Sequence, residues 1–134
     1  MAFVVDASIA GSWCFPDESD AGAEALLDRL AEEPGLAPGL WWYEVRNILI
    51  VNERRGRIDA AGSAAFLADL ARLPIEIDQA PESTALLALA RRNRLTAYDT
   101  AYLELAARAG APLATLDQAL ATAARAEGIA VLAG

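Results

Sequence analysis

A chain of 134 residues that is 55% hydrophobic and carries a net charge of −8 has the length of one domain, residues 1–134, and enough apolar material for a core without covalent staples. Its single cysteine, Cys14, excludes an internal disulfide, and with no histidine in the chain a zinc site lacks a ligand set. The absence of histidine also removes Ser-His-Asp and Cys-His mechanisms; the absence of lysine, all 11 basic residues being arginine, removes Schiff-base chemistry and a P-loop lysine, leaving carboxylate and metal for hydrolysis.

The elements follow in chain order. Phe3-Val4-Val5 is apolar without alternation, which predicts a strand buried on both faces, and it meets Asp6 at once. This N-terminus has no basic region and is not read as a signal peptide. No apolar stretch approaches about 18 residues without a charge, so no membrane span is expected; the lone cysteine fits a reducing cytoplasm. Asp17-Glu18-Ser19-Asp20 offers start residues for a helix over 21–32, which Pro34 and Gly35 stop. Leu36-Ala37-Pro38 reads as a short strand, and a helix over 41–55 is closed by Gly56. Asp59 caps a helix over 60–73, Pro74 precedes the strand Ile75-Glu76-Ile77, and Pro81 opens a helix running to Asn93. A helix over 98–109 ends at Gly110, Leu113-Ala114-Thr115 is a strand, Asp117 leads a helix to Glu127, and Gly128 releases a last strand over 129–132. Short apolar strands alternating with helices predict an α/β fold with a mainly parallel sheet of about five strands.

Four acids stand where an acid is awkward, because acids are rarely buried unless paired or metal-bound. Asp6 ends the first strand, Glu44 lies inside Leu40-Trp41-Trp42-Tyr43-Glu44-Val45, Asp99 lies within Leu95-Thr96-Ala97-Tyr98-Asp99-Thr100-Ala101-Tyr102, and Asp117 ends Pro112-Leu113-Ala114-Thr115-Leu116. In parallel sheets ligands bind outside the carboxyl ends of the strands. Asp6 and Asp117 each follow a strand, Asp99 starts a helix and Glu44 falls in the first turn of one, so one edge can carry all four. Converging acids repel unless a cation or protons intervene, and the expectation is a hard-metal site of oxygen ligands. Each acid also has a purely structural reading. Asp6 can cap a short helix with Ser8 as a rival cap, Asp99 and Asp117 can be helix-start residues, and Glu44 can face solvent or pair with an arginine. Ser8 and Thr115 stand beside the proposed site, ready to hydrogen-bond a carboxylate or a metal-bound water, or to serve as a cap and a strand residue.

The other acids, Asp17, Asp20, Asp59, Asp69 and Asp78, read as caps, turns or surface charge. Cys14 reads as a small buried hydrophobe, and Trp13, Trp41 and Trp42 as core or interface residues rather than base-stacking platforms. The arginine clusters 54, 55, 57 and 91, 92, 94 suit helix ends, with phosphate contact as the alternative. A charge of −8 points away from a basic nucleic-acid footprint over the whole surface.

The order and spacing of Val5-Asp6-Ala7-Ser8, Glu44-Val45-Arg46-Asn47, the segment Leu95 to Tyr102 and Thr115-Leu116-Asp117 resemble the PIN-domain ribonucleases, and within them the VapC-like toxins of bacterial toxin–antitoxin pairs. The resemblance covers essentially the whole chain. It implies a three-layer α/β/α sandwich in which Asp6, Glu44, Asp99 and Asp117 bind Mg²⁺ or Mn²⁺, cleavage of RNA, a cognate antitoxin and a homodimer. Asp6 and Asp99 are the expected direct ligands, with Glu44 and Asp117 holding a second ion, metal-bound waters or the attacking water. An antitoxin arginine entering the acidic pocket would displace the cation.

Three other readings compete. A non-catalytic interaction module of the same fold is favoured by the acidic surface. A receiver domain needs a lysine near its acids, which this chain lacks. A phosphatase of the Asp-x-Asp kind fails because Asp6-Ala7-Ser8 has no second acid.

Overall fold

The computed structural model describes residues 2–133. Five parallel strands form one sheet in the order β3-β2-β1-β4-β5, with β1 (Phe3–Val5) at the centre, β2 (Gly35–Pro38) and β3 (Ile75–Asp78) on one side, and β4 (Leu113–Ala114) and β5 (Val131–Leu132) on the other. Register is set by Val4 pairing with Leu36 and with Leu113. The uninterrupted apolar run of β1 is explained by its place. Phe3, Val4 and Val5 are fully buried, Val4 toward one face and Phe3 and Val5 toward the other.

Among the described residues seven helices cover the sheet. On the Val4 side the core gathers Trp41 and Val45 of α3 (Gly39–Arg54), Leu70 of α4 (Ala60–Leu70), Leu89 of α5 (Ser83–Asn93), Tyr102, Leu103 and Leu105 of α6 (Ala97–Ala109) and Leu120 of α7 (Gln118–Ala126). On the opposite side Phe3 and Val5 pack against Ala23 and Leu26 of α2 (Ala21–Arg29). Ile9 joins that layer from α1 (Ala7–Cys14), while Ala7 and Ala10 join the first. The result is an α/β/α sandwich with all strand carboxyl ends on one edge.

Several boundaries differ from the sequence reading. An eight-residue α1 follows β1 directly, and a 3-10 turn, Pro16–Glu18, comes before α2. Helix α2 stops at Arg29 and α4 at Leu70, each three residues short of expectation, as 3-10 hydrogen bonds such as Glu32 N–H to Arg29 O and Leu73 N–H to Leu70 O tighten the exits. Helix α3 begins at Gly39, directly after β2. Asp20 and Asp59 cap α2 and α4 through Ala23 N–H and Gly62 N–H, as their positions suggested. The cap of α5 is Glu82, whose carboxylate accepts from Thr84 and Ala85 N–H. Cys14 is half-buried rather than sealed in the core.

Helix α5 ends on Arg94 in the left-handed region at φ 56°, a conformation that costs an L side chain and suits glycine. Arg94→Gly is expected to stabilise the fold by roughly 0.5–1 kcal/mol, raising the thermal midpoint by about 2–4 °C. Arg94→Ala, which keeps the Cβ, is expected to leave it unchanged; paired melts of the two variants check this.

Candidate active site

The site is built from the chain ends of β1 and β4. Asp6 follows β1, and its N–H donates to Ala114 O at 3.0 Å, carrying the β1–β4 ladder one residue past the strands. It occupies the N-cap position of α1 but makes no side-chain capping bond. The side chain turns to Ser8 and Thr115, whose hydroxyls both donate to Oδ2, at 2.8 Å and 2.7 Å. Each hydroxyl also accepts from the backbone of the β4–α7 loop: Ser8 Oγ from Leu116 N–H at 3.0 Å and Thr115 Oγ1 from Asp117 N–H at 3.0 Å. The hydroxyl protons are therefore directed at the carboxylate. Neither uses Oδ1.

Asp6 is only 8% exposed. Burial pushes its pKa above the usual carboxylate value; the bonds from Thr115, Ser8 and the Ala7 backbone oppose that rise, and the negative charge of Asp117 adds to it. Glu44 lies half-buried in the second turn of α3, one turn later than expected because the helix begins at Gly39. Its Oε1 accepts from the Tyr102 hydroxyl at 2.5 Å. Its pKa is also raised, chiefly by desolvation, against the Tyr102 bond and with the charges of Asp6 and Asp99 adding. Tyr102 itself is buried, and its phenol is driven far above the ordinary range by desolvation, by its bond to Glu44 and by the charges of Glu44 and Asp6. It stays a neutral donor at any physiological pH.

Asp99 is half-buried in the first turn of α6, where Thr96 caps the helix through the Asp99 N–H. Asp117 is exposed, and its Oδ1 caps α7 by accepting from Leu120 N–H at 2.9 Å. The four acids are thus electrostatic neighbours in sequence, Asp117 acting on Asp6, and Asp6 and Asp99 acting on Glu44. Among the described residues no three Asp, Glu or Cys side chains stand close enough to share one ion.

Asp6 and Glu44 stand out because they are withdrawn from solvent without a counter-charge. Several other acids are paired with arginines. Glu104, 2% exposed, binds Arg108 with Asp78, Glu127 binds Arg92, and Asp17 and Glu18 bind Arg57. Among the described residues Asp6, Glu44, Asp99 and Asp117 make no ion pair. An all-oxygen donor set suits Mg²⁺ or Mn²⁺, and Mg²⁺ takes one or two carboxylates with waters filling its remaining positions, so a pair of these acids suffices for such an ion.

A cleft of about 600 Å³ opens beside Ser8 and Leu116 and runs between α1 and the C-terminal half of α3 to Asn52, Arg55 and Arg57. Glu44, Ile48, Asn52 and Arg55 follow one another at helical spacing, so one stripe of α3 leads from the acids to the cleft's far end. Arg57 is engaged by Asp17, Glu18 and Asn52, whereas Arg55 is exposed and unpaired among the described residues. Of the second arginine cluster, Arg92 with Asn93 holds the Glu127 carboxyl down at about 2.

Tyr102 is the one residue here that sequence reasoning passed over as a site residue. Its signal was present, since it lies one helical turn after Asp99.

The sequence model of the family described as PIN domain matches residues 3–126. The chain is 33% identical over 124 residues to ribonuclease VapC3 of Pyrobaculum aerophilum, covering 90% of this chain and 93% of that protein. Its fold is similar to the crystal structure of PAE2754 from Pyrobaculum aerophilum, with a TM-score of 0.72 at 24% identity over 92% of this chain and 84% of the other.

Asp6 carries a raised pKa in the folded state. Its contribution to stability is complete below the unfolded carboxylate pKa and is lost as pH rises through the folded value. In EDTA, Asp6→Asn is therefore expected to melt a few degrees above the parent at pH 7–8, with the gap closing toward about pH 4. Melts across that range check the sign.

Proposed function

The chain belongs to the PIN-domain family, and from that premise we propose that residues 1–134 form one PIN domain acting as a metal-dependent ribonuclease, the toxin component of a toxin–antitoxin pair. The observation that carries the reading is the set of four acids without counter-ions on the carboxyl edge of the sheet, in a chain whose other deeply buried acid, Glu104, is neutralised by Arg108. The ribonuclease named VapC3, similar along most of its length, supports the substrate class. The toxin role and the antitoxin partner rest on the likeness of the motifs to VapC-like toxins.

Asp6 and Asp99 would hold Mg²⁺ or Mn²⁺, with Glu44 and Asp117 on its waters or on a second ion, and the bound ion supplies polarisation of the phosphoryl oxygen and a more acidic water. The protein's own groups do the positioning. Ser8 and Thr115 fix the Asp6 carboxylate and leave Oδ1 to the site. Tyr102 holds Glu44 by one oxygen, and the raised proton affinity of Glu44 suits it to take a proton from the attacking water. The cleft beside Ser8 offers the RNA strand a path away from the acids, with Arg55, unpaired among the described residues, as a cation on it. An antitoxin arginine in the acidic pocket would supply the counter-charge the acids lack and silence the enzyme. A homodimer completes the assignment, as does the cytoplasm; no helix among the described residues is long and apolar enough to cross a membrane.

RNA cleavage is expected with Mg²⁺ or Mn²⁺ and none in EDTA. Asp6→Asn or Asp99→Asn is expected to lower the rate by about 10²-fold or more, and Ser8→Ala to weaken metal affinity by roughly 10–100-fold. Because Asp6 and Glu44 hold protons above the usual carboxylate range, cleavage should rise with pH through the mildly acidic region. A folded protein that neither binds Mn²⁺ nor cuts RNA would make the domain a non-catalytic interaction module.

A further inference from the structure

A cavity of about 320 Å³ opens where β2 and β3 end. Leu40, Leu86, Ala101 and Leu105 give it apolar walls, and Asp78, Glu104 and Arg108 give it a charged one. It shares two helices with the acidic edge. Leu40 stands one turn before Glu44 on α3, and Ala101 precedes Tyr102, whose hydroxyl reaches Glu44. Asp78 ends β3, two strands from β1 and the Asp6 that follows it, so these strand ends lie roughly 10 Å apart at ordinary strand spacing. The cleft beside Ser8 and Leu116 lies toward β4, on the other flank of β1. An RNA strand that follows the sheet's edge from that cleft across the acids meets this cavity next.

The charged wall is built around one arginine. Arg108 Nε and Nη2 donate to the Glu104 carboxylate at 2.8 Å and 3.1 Å, and Nη1 and Nη2 donate to Asp78 at 3.0 Å each. One guanidinium thus serves two carboxylates and leaves one negative charge in excess. Replacing a buried ionic set by hydrophobes is often neutral for stability, so holding α6 in place does not by itself call for this triad. What the triad supplies is direction. The Glu104 side chain, 3% exposed, fixes Arg108, and the fork of Arg108 fixes Asp78, whose side chain at 28% exposure is the acid that reaches solvent. Asp78 Oδ1 also accepts from Ala80 N–H, whereas Oδ2 carries the one bond from Arg108 among the described residues. A carboxylate oxygen can accept two bonds, so the cavity presents a held acceptor with room for another donor. Tyr98, Ala101, Leu105 and Arg108 share one face of α6, and Tyr98 is 66% exposed one turn beyond Ala101, where its ring offers a stacking face.

We propose that this cavity receives a guanine base of the RNA strand, beside the phosphate that is cut, and that Asp78 is the residue that reads it. The identity of the ligand rests on the ribonuclease reading. Guanine alone among the four RNA bases carries two adjacent N–H donors on one edge, N1–H and the 2-amino group, and a carboxylate is the acceptor that suits them. The apolar walls take the faces of the ring, and Tyr98 stacks on this base or its neighbour. Single-stranded RNA is read in this way, with bases splayed out and bonded along their pairing edges.

The test uses the full chain and short single-stranded RNAs of uridine carrying one guanosine, adenosine, cytidine or inosine. With Mn²⁺, cuts are expected at a fixed distance from guanosine, with kcat/KM about tenfold or more above that for adenosine, the size of one good paired contact to a base edge. Inosine, which keeps N1–H and lacks the amino group, is expected between the two. Asp78→Asn, which keeps the shape and removes the charge, is expected to level guanosine with adenosine while the uridine strand is still cut at the parent rate. Leu86→Trp, a partly buried position in the wall, is expected to fill the cavity and remove the preference as well, with thermal melts showing that both variants fold. A second readout needs no catalysis. In EDTA, guanosine is expected to shift the Leu40 and Ala101 amide resonances more than adenosine, cytidine or uridine does, and to lose that advantage in Asp78→Asn. If no RNA is cut while the selective shift is seen, the nuclease reading falls and the guanine site stands. RNA cut without preference for guanosine overturns the guanine site and leaves the nuclease reading in place, and amides that guanosine leaves unmoved overturn it in either case. Amides that respond instead to spermidine, drawn by the excess negative charge, overturn it too and make the cavity an amine site.

Discussion

The buried carboxylate of Asp6, clasped by two hydroxyls, is the interaction on which the working edge of this molecule depends. It stands where four elements meet. Ser8 brings α1, Thr115 brings the end of β4, and the backbone N–H groups of Leu116 and Asp117 bring the loop into α7, all through bonds of 3.0 Å or less. Strands of two and three residues have little ladder of their own to hold them in register. The polar clasp adds bonds across the same boundary, with each hydroxyl used both as donor and as acceptor. A network so completely used is specific, since losing one member leaves another buried group unpaired. The arrangement therefore explains together why Asp6 faces the site and why α1 turns back immediately after β1.

The same clasp carries a cost. Desolvation raises the proton affinity of Asp6 and Glu44, and no arginine offsets it, whereas Glu104 at comparable burial is held by Arg108. The chain thus contains both solutions to the problem of a buried acid, and uses the unneutralised one only at the sheet's carboxyl edge. Cationic ligands of any kind, a hard metal ion or an incoming guanidinium, gain from this imbalance, because the protein has left the electrostatic work undone. Tyr102 fits that logic. A neutral donor bonds Glu44 without cancelling its charge, which a lysine or arginine in its place would do.

Much of this was legible in the sequence, and the reasons for the rest are local. The alternation of strands and helices and the aspartate caps at Asp20, Asp59 and Asp117 could be read because capping chemistry is short-range. Helix α1 was hidden by its own composition. Ala7-Ser8-Ile9-Ala10-Gly11-Ser12-Trp13-Cys14 mixes glycine, two serines and a β-branched residue, so its helicity comes from burial of Ala7, Ile9 and Ala10 rather than from propensity. Pro81 pointed to the start of α5 but the cap is Glu82, a residue that rarely leads as a capping side chain. The place of Asp6 after β1 and of Asp99 and Asp117 at the starts of α6 and α7 was legible from strand ends and helix starts. Their line of pairwise neighbours was not, because side-chain reach and the extra turn ahead of Glu44 depend on the packed helix.

Helix α3 shows why a single amphipathic stripe is too simple a template for this chain. Trp41, Val45 and Leu49 face the core, Glu44, Ile48 and Asn52 face the acids and the cleft, and Trp42 and Arg46 border the groove against α4 and β3. A further stripe, Tyr43, Asn47, Ile50 and Arg54, stays in solvent, so apolar residues stand on the exposed side of the helix as well as on the buried one, where a surface helix would show one stripe. The pattern is what a helix looks like when it packs on the sheet along one stripe and borders two surface cavities along others.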